Sequence, residues 1–109
     1  MEIKKIAEKY TVSDQITVAD VSSLADMGVE LLICNRPNGE AADQTPYEEI
    51  AQAAEKFGIK FVAIPFAGGQ LQASQVQEFK SELDAGLVTH AYCRTGNRCT
   101  IIWEESSKI

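Results

Sequence analysis

One segment near the C-terminus limits the choice of fold more than any other part of the chain. The apolar run from Leu87 to Tyr92 predicts a buried strand, and Ile101 to Glu105 predicts the opening of a helix. Between them lies Cys93-Arg94-Thr95-Gly96-Asn97-Arg98-Cys99-Thr100. At such a strand–turn–helix junction the backbone N–H groups converge and the helix dipole adds partial positive charge. The segment therefore predicts an α/β unit with an anion-binding loop.

The rest of the chain alternates between strand and helix patterns. The predicted elements are an extended pair within residues 3–13, a helix capped by Thr17, a strand over 29–34, a helix with Thr45 as cap and Pro46 as first residue, a strand over 60–64, and a helix over 73–85. Alternation of this kind predicts an α/β fold with a mainly parallel central sheet flanked by helices. Without a linker or repeat, residues 1–109 are expected to form a single domain.

Three predicted loops leave strands at one edge of this sheet. They cover residues 35–44, residues 65–71 and the segment after Tyr92. Ligands of open α/β sheets bind at the carboxyl ends of the strands. We therefore expect the three loops to converge on a single site.

Composition excludes several classes of function. The net charge of −6 argues against a nucleic-acid-binding surface. No run approaches the roughly 20 apolar residues of a membrane span, and residues 1–6 lack the apolar core of a secretory signal. The three cysteines and one histidine lack the spacing of a disulfide scaffold or a metal site, and no cofactor is predicted. A reducing, cytoplasmic setting is the expectation.

Cys93 is the candidate nucleophile of the loop. A buried cysteine after a strand is usually a small hydrophobic residue. Here, however, Arg94 and Arg98 surround a glycine at a helix N-terminus, where positive charge opposes the dipole and a bound anion would compensate it. The same field favours the thiolate form of Cys93. Arg94, Thr95, Gly96 and Asn97 are the predicted substrate-binding residues, together with Arg36 from the first loop.

The spacing of the loop bears on its chemistry. Tyrosine-phosphatase-type loops follow the pattern C-x5-R, whereas Cys93 to Arg98 is C-x4-R. A six-residue loop is the length associated with rhodanese-type sulfurtransferases, whose cysteine carries a persulfide. Loop length alone therefore favours sulfur transfer over phosphate transfer.

Three ordered motifs carry a resemblance to a known family. They are Ile33-Cys34-Asn35-Arg36-Pro37-Asn38-Gly39-Glu40, then Ile64-Pro65 with Gly68-Gly69, then Tyr92 to Arg98. Together they resemble the bacterial DUF442 family, the phosphatase-like domain of beta-lactamase hydrolase-like proteins. The resemblance implies a dual-specificity-phosphatase-like α/β fold and a hydrolase, with Cys93 as nucleophile, Arg98 as oxyanion-binding arginine and Arg94 as auxiliary cation. The family also occurs fused to a metallo-β-lactamase-type persulfide dioxygenase, which keeps sulfur transfer as an alternative.

Two positions depart from the usual phosphatase pattern. Cys99 stands where such loops carry a small hydroxyl residue that hydrogen-bonds the nucleophile. The loop over residues 65–70 holds no acid to protonate the leaving group. Asp43 and Glu40 are the candidate general acids, although an exposed acidic loop is the more common explanation for such residues.

The other reactive side chains have both a functional and a packing interpretation. Cys34 and Cys99 are candidate redox partners that would protect Cys93 as a disulfide. Core packing is the preferred interpretation for both. His90 is predicted to lie on the opposite face of its strand from Cys93, as a packed residue rather than a catalytic base.

Three functions follow in order of preference. The first is a cysteine-dependent phosphatase-like hydrolase, because the resemblance covers nearly the whole chain. The second is a sulfurtransferase that forms a Cys93 persulfide, and the third is a non-catalytic oxyanion-binding module. Each implies a small anionic partner, a phosphate or a sulfur oxyanion. The sequence indicates neither the physiological substrate nor the oligomeric state.

Overall fold

A five-stranded sheet forms the centre of the computed structural model, which describes residues 1–109. Its strands are β1 (Ile3–Ala7), β2 (Tyr10–Ser13), β3 (Leu31–Cys34), β4 (Lys60–Ala63) and β5 (Thr89–Tyr92). The spatial order is β1-β2-β5-β3-β4. Only β1 and β2 pair in antiparallel fashion, as a hairpin, and all other neighbours are parallel. The mainly parallel α/β architecture expected from the sequence is confirmed.

Four helices cover the two faces of the sheet. They are α1 (Val18–Asp26), α2 (Tyr47–Lys56), α3 (Ala73–Leu83) and α4 (Asn97–Ser106). Helices α1 and α2 contact each other on one face, and α3 and α4 contact each other on the opposite face. None of the helices has the length and apolar character needed to span a bilayer.

Alternation along the strands separates the core into two clusters. Ile33 and Ala91 pack with Phe79 and Ile102 beneath α3 and α4. On the other face, Leu32 and Tyr92 pack with residues of α1 and α2, among them Leu24 and Ile50. All but one of these eight side chains are fully buried, and Tyr92 is 1% exposed. Full burial of a large aliphatic or aromatic side chain stabilises the fold by roughly 1.5–3 kcal/mol. A slip of one residue in a strand would move its side chains to the opposite face, so the two clusters fix the strand register.

Helix α1 begins as the sequence predicts. The backbone N–H of Thr17 donates to the Asp20 carboxylate over 2.9 Å, which completes the N-terminal turn. Gly28, just beyond the helix, has a φ of 88° and turns the chain toward β3.

Two other helix starts differ from expectation. Pro46 is the cap of α2 rather than its first residue, and the N–H of Tyr47 donates to the Asn38 side chain (2.9 Å) instead of a local cap. Helix α4 begins at Asn97, four residues before the predicted opening at Ile101. Gly96, with a φ of 93°, turns the chain directly from the loop into the helix, and this places Arg98 and Cys99 in the first turn.

Candidate functional site

The loop between β5 and α4 closes tightly around the sulfur of Cys93. The backbone N–H of Gly96 donates to Cys93 Sγ over 3.0 Å. The Cys93 N–H donates to the carbonyl oxygen of Ser13, at the end of β2, over 3.3 Å. A Cβ on Gly96 would lie 3.4 Å from the same Ser13 oxygen. That distance is an ordinary van der Waals contact, so it is the positive φ that makes glycine suited to this position.

The environment of Cys93 favours the thiolate. Interaction with the Cys99 side chain is the largest cause that lowers the pKa of Cys93 to about 5, although burial by itself would raise it. Backbone amides of Cys99, Thr95 and Arg98 lower it further. Burial raises the pKa of Cys99 well above its usual value, so Cys99 stays protonated in the same core cluster as Cys93. A protonated thiol thus stands at the position that usually carries a hydroxyl in phosphatase loops.

Arg98 is held by the carboxylate of Glu40, which lies in the loop after β3. Its Nη1 and Nη2 each donate to a Glu40 oxygen over 2.7 Å, in a bidentate ion pair. Arg36 Nε also donates to Glu40, over 2.9 Å, while Arg36 Nη1 donates to the Gln15 side chain over 3.0 Å. The Arg36 and Arg98 side chains are only 5% and 12% exposed. The ion pairs Arg36–Glu40 and Glu40–Arg98 therefore link the loop after β3 to the first turn of α4.

The third loop meets the same arginine. Arg98 Nη1 donates to the carbonyl oxygen of Phe66, in the loop after β4, over 3.1 Å. All three loops expected at the carboxyl edge of the sheet therefore converge on Arg98.

Glu40 is ionised in this arrangement. The hydrogen bonds from Arg98, followed by those from Arg36, lower the pKa of Glu40 to about 2. A carboxyl group with such a pKa carries no proton to donate near neutral pH, so the geometry gives Glu40 a positioning role rather than that of a general acid. Asp43 is exposed and does not line the cleft beside Arg98. The structure therefore brings neither acid candidate into position to protonate a leaving group.

An open cleft of about 470 Å³ lies beside the loop. Its six lining residues, none of them hydrophobic, are Glu40, Gly68, Arg94, Thr95, Asn97 and Arg98. The side chains of Arg94, Thr95 and Asn97 are exposed, as a ligand-binding role requires. Cys93 itself has no exposed surface and is not among the lining residues.

The other two cysteines lie on different sides of the sheet. Cys99 shares the core cluster beneath α3 and α4 with Cys93. Cys34 pairs in register with Tyr92 and belongs to the opposite cluster, where its thiol donates to the Arg36 carbonyl over 3.2 Å. Of the two candidate redox partners, the geometry therefore brings only Cys99 next to Cys93.

His90 is a structural residue of the sheet. It is fully buried, with Nδ1 2.7 Å from the Thr11 hydroxyl and Nε2 2.8 Å from the Ser13 hydroxyl. Because the Ser13 hydroxyl donates to the Asp14 carbonyl, it accepts from Nε2, and Nδ1 then accepts from Thr11. Burial lowers the pKa of His90 to about 4. The histidine ties β2 to β5 and does not reach the cleft.

Sequence reasoning missed two of the residues that position the site. Ser13 offers its carbonyl to Cys93, and Gln15 holds Arg36. Both act across long separations in the chain, and neither belongs to a motif that could have indicated them. No group of three or more histidine, cysteine, aspartate or glutamate side chains is placed to hold a metal ion.

Comparison with known proteins identifies the family. The family described as "Beta-lactamase hydrolase-like protein, phosphatase-like domain" matches residues 2–108. The beta-lactamase hydrolase-like protein of Agrobacterium fabrum is 27% identical over 104 residues, which are 94% of this chain and 24% of that protein. The chain thus spans about a quarter of the length of the curated relatives that it matches.

Solved structures agree with this assignment. The candidate phosphatase nma1982 of Neisseria meningitidis Z2491 is 34% identical, with a TM-score of 0.79 over 91% of this chain and 71% of that one. A DUF442 protein of Shewanella putrefaciens CN-32 is 20% identical and has a TM-score of 0.83 over 96% of this chain and 66% of that one. The core catalytic domain of the phosphatase SIW14 from S. cerevisiae, at 14% identity, shares the fold with a TM-score of 0.62 over 97% of this chain and 74% of that one. The chain therefore belongs to the family of phosphatase-like domains of beta-lactamase hydrolase-like proteins, and it has the α/β fold of the tyrosine and dual-specificity phosphatases.

Proposed function

We propose that this domain is a cysteine-dependent hydrolase that acts on a small phosphorylated substrate, with Cys93 as nucleophile. The observation that carries the proposal is the hydrogen bond of 3.0 Å from the Gly96 amide to Cys93 Sγ at the start of α4. A sulfur that accepts a hydrogen bond from a backbone amide at a helix N-terminus is stabilised as a thiolate, which is the nucleophilic form. Membership of a phosphatase-like family supports the choice of phosphorus as the reacting atom.

The reaction would proceed in two displacements. The Cys93 thiolate attacks the phosphorus atom, an S–P bond forms, and the P–O bond to the leaving group breaks. Arg98 and the amides of the loop stabilise the charge on the phosphoryl oxygens. Water then attacks phosphorus, the S–P bond breaks, and phosphate leaves as the thiolate is restored.

Substrate access requires movement at the mouth of the site. Because Cys93 has no exposed surface, a phosphoryl group reaches the sulfur only when side chains beside the cleft shift. The exposed side chains of Arg94, Thr95 and Asn97 border the cleft, so a shift of these side chains is the movement that we propose. Glu40 and Phe66 take three of the five N–H donors of Arg98, so Arg98 would bind a phosphoryl oxygen through the other two while Glu40 holds its orientation.

Sulfur transfer is the second candidate. It is favoured by the C-x4-R spacing of Cys93 and Arg98, and by the lack of a proton donor in the cleft. In that case the Cys93 thiolate would attack the outer sulfur of a donor such as thiosulfate, the S–S bond of the donor would break with sulfite as leaving group, and Cys93 would carry the sulfur as a persulfide. The same lack of an acid also keeps a non-catalytic oxyanion-binding module as a third candidate.

One pair of assays separates the three candidates. The protein is incubated with an aryl phosphate and, separately, with thiosulfate plus cyanide, beside the Cys93→Ser variant. Cys34→Ser serves as a matched control, because that cysteine lies on the opposite face of the sheet.

The hydrolase proposal expects phosphate release that Cys93→Ser abolishes and Cys34→Ser retains. Thiocyanate formation without phosphate release would replace it with sulfur transfer. No turnover in either assay, combined with protection of Cys93 from alkylation by phosphate or sulfate, would favour the binding module.

A further inference from the structure

We propose, as an extension of the proposed hydrolase function, that the preferred substrate is a phosphoanhydride. Its terminal phosphoryl group would be transferred to Cys93, and its leaving phosphate would be received by Arg94. Three independent properties of the cleft beside Cys93 support this class of substrate.

The first property is the lack of a protonated group at the cleft. Glu40 is the only carboxyl group among the lining residues, and no histidine lines the cleft. Two arginines donate three hydrogen bonds of 2.7–2.9 Å to this carboxylate, so it is an acceptor and not a donor. An alkoxide leaving group needs a proton in the transition state. A phosphate leaving group is stable as an anion and departs without one.

The second property is a cation without a partner. Arg36 and Arg98 are both paired with Glu40, whereas Arg94 forms no ion pair, although acidic residues outnumber basic ones by 16 to 10 in this chain. Arg94 is exposed and lines the cleft beside Arg98. A guanidinium in this position is suited to a second phosphate group, because its fork of N–H donors matches two phosphate oxygens.

The third property is the polarity of the cleft wall. Thr95 and Asn97 contribute polar side chains, Gly68 contributes backbone, and no lining residue is hydrophobic. Pockets that bind aryl or alkyl groups are mostly apolar. This cleft has no apolar wall against which such a leaving group could pack. A charged, strongly hydrated leaving group fits this wall better.

The chemistry balances without a further reactant. The Cys93 thiolate forms an S–P bond with the terminal phosphorus, and the bond from that phosphorus to the bridging oxygen breaks. The bridging oxygen keeps the electron pair and leaves as part of a phosphate anion. Water then displaces sulfur from phosphorus and gives orthophosphate, with its proton released to solvent.

The test compares three probes in metal-free buffer: inorganic pyrophosphate, p-nitrophenyl phosphate and glycerol phosphate. The p-nitrophenolate group leaves without protonation but carries no second phosphate, so it reports the basic hydrolase function. Glycerol phosphate has an alkoxide leaving group. We expect kcat/KM for pyrophosphate to exceed that for glycerol phosphate by at least about tenfold.

The Arg94→Gln variant tests the proposed contact. It should lower kcat/KM for pyrophosphate about tenfold more than for p-nitrophenyl phosphate, because only pyrophosphate carries a second anionic group. Lys56→Gln removes the same charge from an exposed position on α2, away from the cleft, and should leave the ratio unchanged.

Two results would overturn the inference while the hydrolase function stands. They are turnover of p-nitrophenyl phosphate without a preference for pyrophosphate over glycerol phosphate, and an equal loss on both probes in Arg94→Gln. No turnover of any of the three probes would instead reject the hydrolase function, and the inference with it.

Discussion

The carboxylate of Glu40 and the guanidinium of Arg98 form a bidentate ion pair with two N–O distances of 2.7 Å. Their side chains are 26% and 12% exposed, and 58 residues separate them in the chain. The pair fixes the orientation of the arginine that we propose as the oxyanion-binding group. It also joins the loop after β3 to the first turn of α4.

Replacing Glu40 by glutamine tests this positioning role. Glu40→Gln retains a hydrogen-bond acceptor but loses the charge and one carboxylate oxygen, so Arg98 becomes free to leave its orientation. We expect kcat/KM for an aryl phosphate to fall about tenfold, as for a loss of roughly 1.4 kcal/mol of transition-state stabilisation. Glu49→Gln, an exposed position on α2, is the control for net charge. A gain of activity in Glu40→Gln would mean that the carboxylate competes with the substrate instead.

Replacing Cys99 by alanine tests the origin of the Cys93 thiolate. Because the Cys99 side chain is the largest cause of the low pKa of Cys93, Cys99→Ala should raise that pKa from about 5. The acid limb of the pH profile of kcat/KM should therefore move to higher pH by about one unit. Cys34→Ala removes a buried thiol from the opposite face of the sheet and should leave the acid limb of the pH profile at the same pH. An unchanged limb in Cys99→Ala would assign the low pKa to the backbone amides alone.

Gly96 and Gly58 form a matched pair for testing the loop. Both have positive φ, 93° and 70°, but a Cβ would meet other atoms within 4 Å only at Gly96, where Ser13 and Val12 lie close. Gly58→Ala should lower the free energy of unfolding by about 1–2 kcal/mol through backbone strain alone. Gly96→Ala should lower it by a similar amount, because its Cβ would meet β2 only at van der Waals distance. It should also lower kcat/KM, because strain at Gly96 shifts the amide that donates to Cys93 Sγ. Chemical denaturation measures the first effect and steady-state kinetics the second, and equal kcat/KM in the two variants would contradict a role of this amide in the site.

Local patterns predict the sheet, the order of its elements and the convergence of three loops. Continuous apolar runs mark the strands and period-3.6 hydrophobicity marks the helices, and the rule for carboxyl ends of parallel strands places the loops. The predicted start of α4 is wrong because Asn97, Arg98 and Cys99 are polar or small, and hydrophobic spacing does not record a turn made by Gly96. The predicted cap of α2 is wrong because the acceptor for its first N–H, Asn38, comes from a distant loop.

In the candidate site, too, residues close together in the chain could be predicted, and contacts between distant segments could not. Cys93, Arg94 and Arg98 stand within six residues, so sequence alone brings them together. The role of Glu40 could not be predicted, because the pattern shows an acid in a loop but not the two arginines that hold it. The packing of Cys99 against Cys93, rather than Cys34, depends on which face of the sheet each residue occupies.

The buried His90 predicts a specific dependence of stability on pH. Its pKa is about 4 in the folded protein and about 6.5 in an unfolded chain. The unfolded state therefore binds more protons between these values, and stability falls as the pH is lowered through this window. His90→Gln, which does not titrate, should be less stable at neutral pH by about 1–3 kcal/mol through lost hydrogen bonds. The difference from wild type should narrow in acid, and a constant difference in urea unfolding would contradict burial of a neutral histidine.

The central claim is that the Cys93 thiolate attacks phosphorus. It is tested most directly by mixing the protein with an aryl phosphate, quenching within one turnover and measuring the intact mass, with Cys93→Ser in parallel. We predict a transient gain of one phosphoryl group that maps to Cys93 and is lacking in the variant. A mass unchanged by the aryl phosphate, together with the gain of one sulfur atom at Cys93 from thiosulfate, would contradict the claim.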